Sequence, residues 1–295
     1  MSAEKKSELV TMIHEQEGYP VKGLCSLLQL PRSSYYYQPI KRQETALKEA
    51  VEEISAQLPA YGSRRVTQEL RRAPYCTVVN RKRIQRLMRE MGLLRTQKPH
   101  KKYTTDSKHG FRRFPNLVAN LEITEPDQVW VSDITYIRLH REFVYLAVIM
   151  DVFTRSIRGW NLSRWLDRSL TVEALKRALK THIPGIHHSD QGVQYAANDY
   201  VDLLRKNHIH ISMAGRGAPY ENPYAERLIR TIKEEEVDLS EYYDFADARS
   251  QIGYFIEEVY DKKRIHSSLG YLTPVEFEDA YWIMQSEQMS SLSFP

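Results

Sequence analysis

QVWVSDITYIRL (residues 128–139), EFVYLAVIMDVFT (142–154) and RSIRGWNLS (155–163) follow one another almost without interruption, and their reading decides the fold. The first stretch alternates apolar and polar residues, the period of a strand with two unlike faces. The second is nearly continuous apolar sequence, as in a strand covered on both sides. The third is again strand-like. Connections this short leave no room for a crossover helix, so an antiparallel meander is expected. Asp133 stands in the middle of the first strand, between Val131 and Ile134-Thr135-Tyr136.

Downstream the pattern changes to alternating helices and strands. RSLTVEALKRALKTH (168–182) reads as a helix and IPGIHHS (183–189) as a short strand ending at Asp190. Residues 198–207 read as another helix, and IHISMA (209–214) as another strand. After the loop GRGAPYE, Asn222 suits a helix N-cap and Pro223 the first helical position. In PYAERLIRTIKEE, Glu226, Arg230 and Lys233 share one helical face, while Ala225, Ile229 and Ile232 share another. Glu226 is thereby held away from the core by a helix anchored through its apolar side. Asp190 alone, in HHSDQGVQY (187–195), is ordinary turn chemistry. It gains meaning only if Asp133 and Glu226 are aimed at the same place.

Upstream the chain is helical and basic. Residues 1–43 read as a small helical unit whose helix, turn and second helix could form a helix-turn-helix. Residues 44–60 carry Ala46, Leu47, Val51, Ile54 and Leu58 at helical spacing. YGSRRVTQELRR and VNRKRIQRLMREMGLL follow as two more helices, the latter capped by Asn80. In it Ile84, Leu87, Met88 and Met91 form a stripe, backed by Arg81, Lys82, Arg83, Arg86 and Arg89. Such a stripe docks a helix while the cations meet phosphate or base edges of DNA.

The net charge of +4 hides an uneven distribution. Residues 61–115 hold 16 Lys and Arg against 3 Asp and Glu, leaving 26 against 35 in the rest. A polyanionic partner is implied. A solvated helix face rich in lysine would be equally basic, but arginine predominates here, and its planar fork suits phosphate. Cys25 and Cys76 form no C-x-x-C pair, which speaks against a zinc knuckle or a disulfide framework, and a reducing cytoplasm is the simplest setting. MSAEKKSE lacks the apolar core of a secretory signal, and the longest apolar run, VYLAVIM (144–150), is too short to span a bilayer.

WVSDITY, HHSDQGVQY and NPYAERLIRTIKEE, with 35 residues between Asp190 and Glu226, resemble the three blocks of a D,D(35)E transposase/integrase core of ribonuclease-H-like fold. The match lies with the OrfB transposases of the bacterial insertion-sequence family "three". YGSRRVTQELRR and VNRKRIQRLMREMGL resemble the helix-turn-helix that precedes that core, and YDKKRIHSSLGYLTPVEF (260–277) resembles its C-terminal signature. Where that signature commonly has Asn after the tyrosine, this chain has Asp261.

The resemblance implies an α/β ribonuclease-H-like core, a mixed five-stranded sheet with flanking helices, after an all-α DNA-binding region. The implied segments are 1–43 (small helical), 44–105 (helix-turn-helix), 106–125 (basic linker), 126–237 (catalytic core) and 238–295 (helical extension). Asp133, Asp190 and Glu226 would bind two Mg²⁺ or Mn²⁺ ions, since hard divalent cations prefer carboxylate oxygen. Arg64, Arg65, Arg81, Lys82, Arg83, Arg86, His188, Arg230 and Lys233 would contact DNA, with His188 lining the cleft and His187 facing away. The implied partners are the terminal inverted repeats and target DNA, a second copy of the chain and an OrfA segment, with no membrane. A non-catalytic DNA-binding regulator and a nuclease that never joins strands are the competing readings. Asp151 reads as a turn cap and Glu173 as a solvated acid.

Overall fold

The structure, a computed structural model, describes residues 1–37, 44–94, 114–215, 218 and 221–292. The first part of the basic linker, 106–113, lies outside the described residues. The chain divides into two compact units, Met1–Glu49 and Ala50–Pro295. In the first, α1 (Ala3–Glu17), α2 (Val21–Leu27) and α3 (Arg32–Tyr35) enclose Val10, Leu24, Cys25 and Leu30. Gly18 ends α1 in the left-handed conformation at φ 70°, returning its N–H to the His14 carbonyl.

Helix α4 (Thr45–Gln57) carries the chain into the second unit, followed by α5 (Ser63–Glu69) and α6 (Arg81–Glu90). The apolar stripe of α6 is real: Ile84, Leu87 and Met88 are buried. Met91 falls at its C-cap and is only half-buried. Asn80 caps α6 by accepting the Lys82 N–H at 2.8 Å.

The meander forms as its spacing requires. β1 (Val129–Arg138) pairs antiparallel with β2 (Phe143–Asp151), and β2 with β3 (Ile157–Ser163). β4 (Ile186–Ser189) and β5 (His210–Met213) then add in parallel, giving a mixed sheet of order β3-β2-β1-β4-β5. On one face α7 (Arg168–Ala178), α8 (Val193–Ala196) and α9 (Asn198–Lys206) bury Trp130, Ala147 and Ile149. α7 stops four residues short of the expected 182.

On the other face, α10 (Pro223–Ile232) and α11 (Phe245–Tyr254) pack on Val129, Val131, Leu146 and Val148. Both helices continue as π-helical turns, Lys233–Val237 and Phe255–Tyr260. α12 (Pro274–Leu292) closes the chain. Two-sided burial explains why β2 is nearly all apolar. No helix among the described residues is long and apolar enough to cross a membrane.

Candidate active site

Sheet register brings the first two carboxylates together. β1 and β4 pair in parallel as Val129↔Ile186, Trp130↔His187 and Val131↔His188. Continued by two residues, the same register sets Asp190 beside Asp133, on neighbouring strands about 4.8 Å apart. Alternation assigns the faces. Trp130 packs on the α7–α9 side and Val131 on the α10 side, so Asp133 turns towards α10. His187 packs against Tyr195 and Tyr200 on the first side, which leaves His188 and Asp190 on the second.

α10 supplies the third carboxylate. Its apolar residues Ala225, Leu228, Ile229 and Ile232 are buried, leaving Glu226 exposed in the first turn. Pro223 occupies the first turn as the sequence implies, but Asn222 does not cap the helix with its side chain. It is buried and donates Nδ2 to the Ser132 carbonyl at 3.1 Å. A cross-element bond to β1 has displaced the local cap.

The electrostatics match this placement. Burial pushes the Asp133 carboxyl up to about 7, and the nearby charges of Asp190 and Glu226 add to the rise. The Ile134 N–H, donated to Asp133 Oδ1 at 2.8 Å, and Lys233 oppose it without cancelling it. Asp190 Oδ1 accepts the Gly192 N–H at 2.9 Å, closing the turn after β4. Asp190 and Glu226 lie near enough for their charges to raise the Asp133 carboxyl, and donors that are all carboxylate oxygens suit a hard divalent cation.

The surrounding residues divide into those that face the cluster and those that support it. Lys233 lies half-buried at the end of α10, its Nζ 4.8 Å from the centroid of the Tyr136 ring. Burial lowers its pKa while Asp238 and Asp133 raise it. Arg230, one turn earlier, is exposed. Glu236, close enough in sequence to pair with Lys233, instead accepts the Ser240 and Tyr242 hydroxyls.

His188 does not line a DNA cleft. It is 0% exposed and both ring nitrogens are engaged, Nδ1 with Ser212 Oγ at 2.8 Å and Nε2 with the Glu221 carbonyl at 3.1 Å. Burial lowers its pKa, so the ring is neutral. It fastens the loop before α10 to β4 and β5. Glu221 is itself held by the Asn116 amide and the Gly215 N–H. Strand parity puts position 188 on the side of the cleft but does not tell how deeply the loop before α10 covers it.

The basic residues are also sorted by the fold. Arg64, Arg81 and Lys82 are exposed. Arg65 Nη1 pairs with Glu235 Oε1 at 2.9 Å, and its guanidinium stacks on Tyr61 at 4.6 Å. Arg86 pairs with Glu90 along α6 at 2.6 Å. Arg83 is half-buried. Asp151 is the turn cap its context implies: it is fully buried and accepts the Thr154 N–H and hydroxyl, each at 2.7 Å, and the Asp127 N–H. Glu173 is half-buried and pairs with Lys176 at 2.8 Å.

A separate group, Asp127, His182 and Glu278, has metal-compatible spacing. Arg158 already occupies it, bonded to Asp127 at 2.9 Å and to both Glu278 oxygens at 2.8 and 2.9 Å. That guanidinium neutralises the acids.

Known families match three stretches of the chain. An integrase core domain matches residues 123–219, an HTH-like domain residues 41–103, and a further integrase core domain residues 207–274. A 31 kDa uncharacterized protein of the insertion element IS600 of Shigella sonnei is 34% identical, covering 88% of this chain and 98% of that protein. The transposase for insertion sequence element IS904 of Lactococcus lactis is 36% identical over 74% of this chain and 87% of its own. Transposase InsF for insertion sequence IS3A of Escherichia coli is 29% identical over 90% of this chain and 96% of its own.

Proposed function

Since the chain belongs to the insertion-sequence transposases of family "three", with their integrase core and HTH-like domain, we propose that Asp133, Asp190 and Glu226 are its catalytic carboxylates. The observation that carries this reading is that burial and the charges of Asp190 and Glu226 together raise Asp133 to about 7. Carboxylates crowded in this way are stabilised by a cation. On this reading the protein is a D,D(35)E polynucleotidyl transferase that cuts at the element's ends and joins them to target DNA.

Mg²⁺ or Mn²⁺, two ions per site, would be held by Asp133, Asp190 and Glu226, and when bound would supply neutralisation of charge on the attacking and leaving oxygens. The chain's own groups do the positioning. Asn222 and the buried side of α10 fix Glu226 relative to β1. Arg230 and Lys233 offer cations on the Glu226 face, where they can hold a phosphodiester without entering the carboxylate cluster.

Water adds to phosphorus at the element's end, the P–O3′ bond breaks, and the 3′ oxygen leaves as a hydroxyl. That hydroxyl then attacks a target phosphodiester, forming one P–O bond while another breaks. The second step conserves the number of phosphodiester bonds and so needs no ATP. Homo-oligomer formation on DNA and an OrfA partner accompany this reading as proposals.

The test is incubation of the full chain with labelled element-end duplex and Mg²⁺ or Mn²⁺, scoring cleavage and joining separately. Both activities are expected. Cleavage without joining under every condition would favour a nuclease, and binding with neither would favour a regulator.

A further inference from the structure

A cleft of about 700 Å³ opens along a face of α10 that Glu226 does not share. Tyr224, Arg227, Leu228 and Thr231, at helical spacing i, i+3, i+4 and i+7, line it. Six arginines reach it: Arg64, Arg65, Arg81, Arg155, Arg227 and Arg264. No acidic side chain lines it among the described residues. Arg64 and Arg65 come from α5, Arg81 from α6, and Arg155 from the β2–β3 turn. Arg264 belongs to the C-terminal stretch, which also contributes the exposed Ser267 and Ser268.

The positive charge here exceeds what the protein neutralises. Glu235 serves two of the guanidiniums, accepting from Arg264 at 2.7 and 2.8 Å and from Arg65 at 2.9 Å. Arg64, Arg81, Arg155 and Arg227 have no carboxylate partner among the described residues.

Arg155 is the most telling of these. Its backbone lies in the left-handed region at φ 65°, a conformation unfavourable for a residue with a side chain. The turn holds it there through its N–H to the Asp151 carbonyl at 3.0 Å, while the Asp151 carboxylate secures Thr154. The guanidinium then stacks on Tyr224 at 4.2 Å, with Nη1 buried and lacking a hydrogen-bond partner. Leaving a buried charged donor unmet is costly.

We propose that this cleft binds phosphodiester groups of the DNA backbone, at a site distinct from the carboxylate cluster. Phosphate is the anion that several arginine forks recognise together. Duplex DNA is favoured as its source because the lining joins the HTH-like region to the catalytic core, so a duplex held by both passes the cleft. The stretch from Arg264 to Tyr271 then serves as one wall of a binding site. This assignment rests on the chain's engaging DNA, as proposed for its function, but not on its carboxylates being catalytic.

The test is anisotropy of element-end duplex and of an unrelated duplex with the full chain in EDTA, across a salt series. In the double variant Arg155→Ala/Arg227→Ala, affinity should fall for both duplexes by the same factor, on the order of tenfold, and the log–log salt slope should flatten by about two. Arg227→Ala alone, at an exposed side chain that leaves folding intact, should flatten it by about one. An unchanged slope in folded variants would overturn the proposal. So would a loss confined to the element-end duplex, since backbone contacts carry no sequence information. Inorganic phosphate that stabilises wild type but not the double variant, without competing with DNA, would assign the cleft to a free ion and overturn the DNA assignment. Because no metal is present, wild-type chain that fails to cleave would sink the catalytic reading and leave this result standing.

Discussion

Asn222 Nδ2 meets the Ser132 carbonyl at 3.1 Å, so the start of the helix that carries Glu226 is fastened to the strand residue preceding Asp133. Both partners are buried, and Asn222 Oδ1 has no partner of its own. Asn222→Ala removes the Nδ2 donor from the Ser132 carbonyl. A stability loss of about 1–3 kcal/mol is expected from the stranded group. DNA cleavage should fall more steeply than DNA affinity, because Glu226 loses its register. Chemical denaturation and a cleavage assay measure the two. Equal loss of cleavage and binding would mean that the bond serves stability alone.

Asp261, where relatives of this kind commonly carry Asn, accepts the Ile157 N–H at 3.1 Å, and burial pushes its carboxyl up to about 7. The Ile157 bond and Arg158 oppose the rise. A folded-state pKa above the unfolded value gives stability that is present at low pH and lost as pH rises through the folded pKa. The wild-type chain should therefore lose stability from about pH 4 to about pH 7 through this group. Asp261→Asn keeps the acceptor and removes the titration. It should match wild type near pH 4 and exceed it by on the order of 2–4 kcal/mol above about pH 8. Urea melts across that range decide it, and a difference independent of pH would contradict the assignment.

Lys233 stands over Tyr136 with Nζ 4.8 Å from the ring centroid, and it opposes the raised pKa of Asp133. Lys233→Ala should slow joining about 10-fold or more, as loss of a positioned cation does, while metal affinity by calorimetry stays near wild type. Lys233→Arg should recover part of the rate, since the charge returns in a different shape. Wild-type joining in the alanine variant would return Lys233 to the solvated surface.

The meander, the two added strands and the basic helices were legible because each rests on a local pattern: alternation in β1, continuous apolarity in β2, a capped stripe in α6. That Asp133, Asp190 and Glu226 share one site is proposed from family resemblance, since a β1–β4 parallel pairing leaves no local trace. Depth was the least visible property. His188 lies under the loop before α10, and Asn222 turns from its helix to β1, because residues distant in sequence cover them. Arg65 looked like its neighbour Arg64, yet Glu235, 170 residues away, claims it. The arginine cleft leaves no local signal for the same reason, its lining being gathered from separate parts of the chain.

Asp133, Asp190 and Glu226 are proposed to form one metal-dependent centre. Asp133→Asn, Asp190→Asn and Glu226→Gln each remove a charge while keeping shape, so cleavage and joining of labelled element-end DNA in Mg²⁺ can be measured beside DNA affinity in EDTA. Each variant should lose at least about 10³-fold in both reactions, the scale on which a removed catalytic group is felt, with affinity within about threefold of wild type. Substantial joining by any one of the three, with DNA still bound, would remove that residue from the centre and contradict the account.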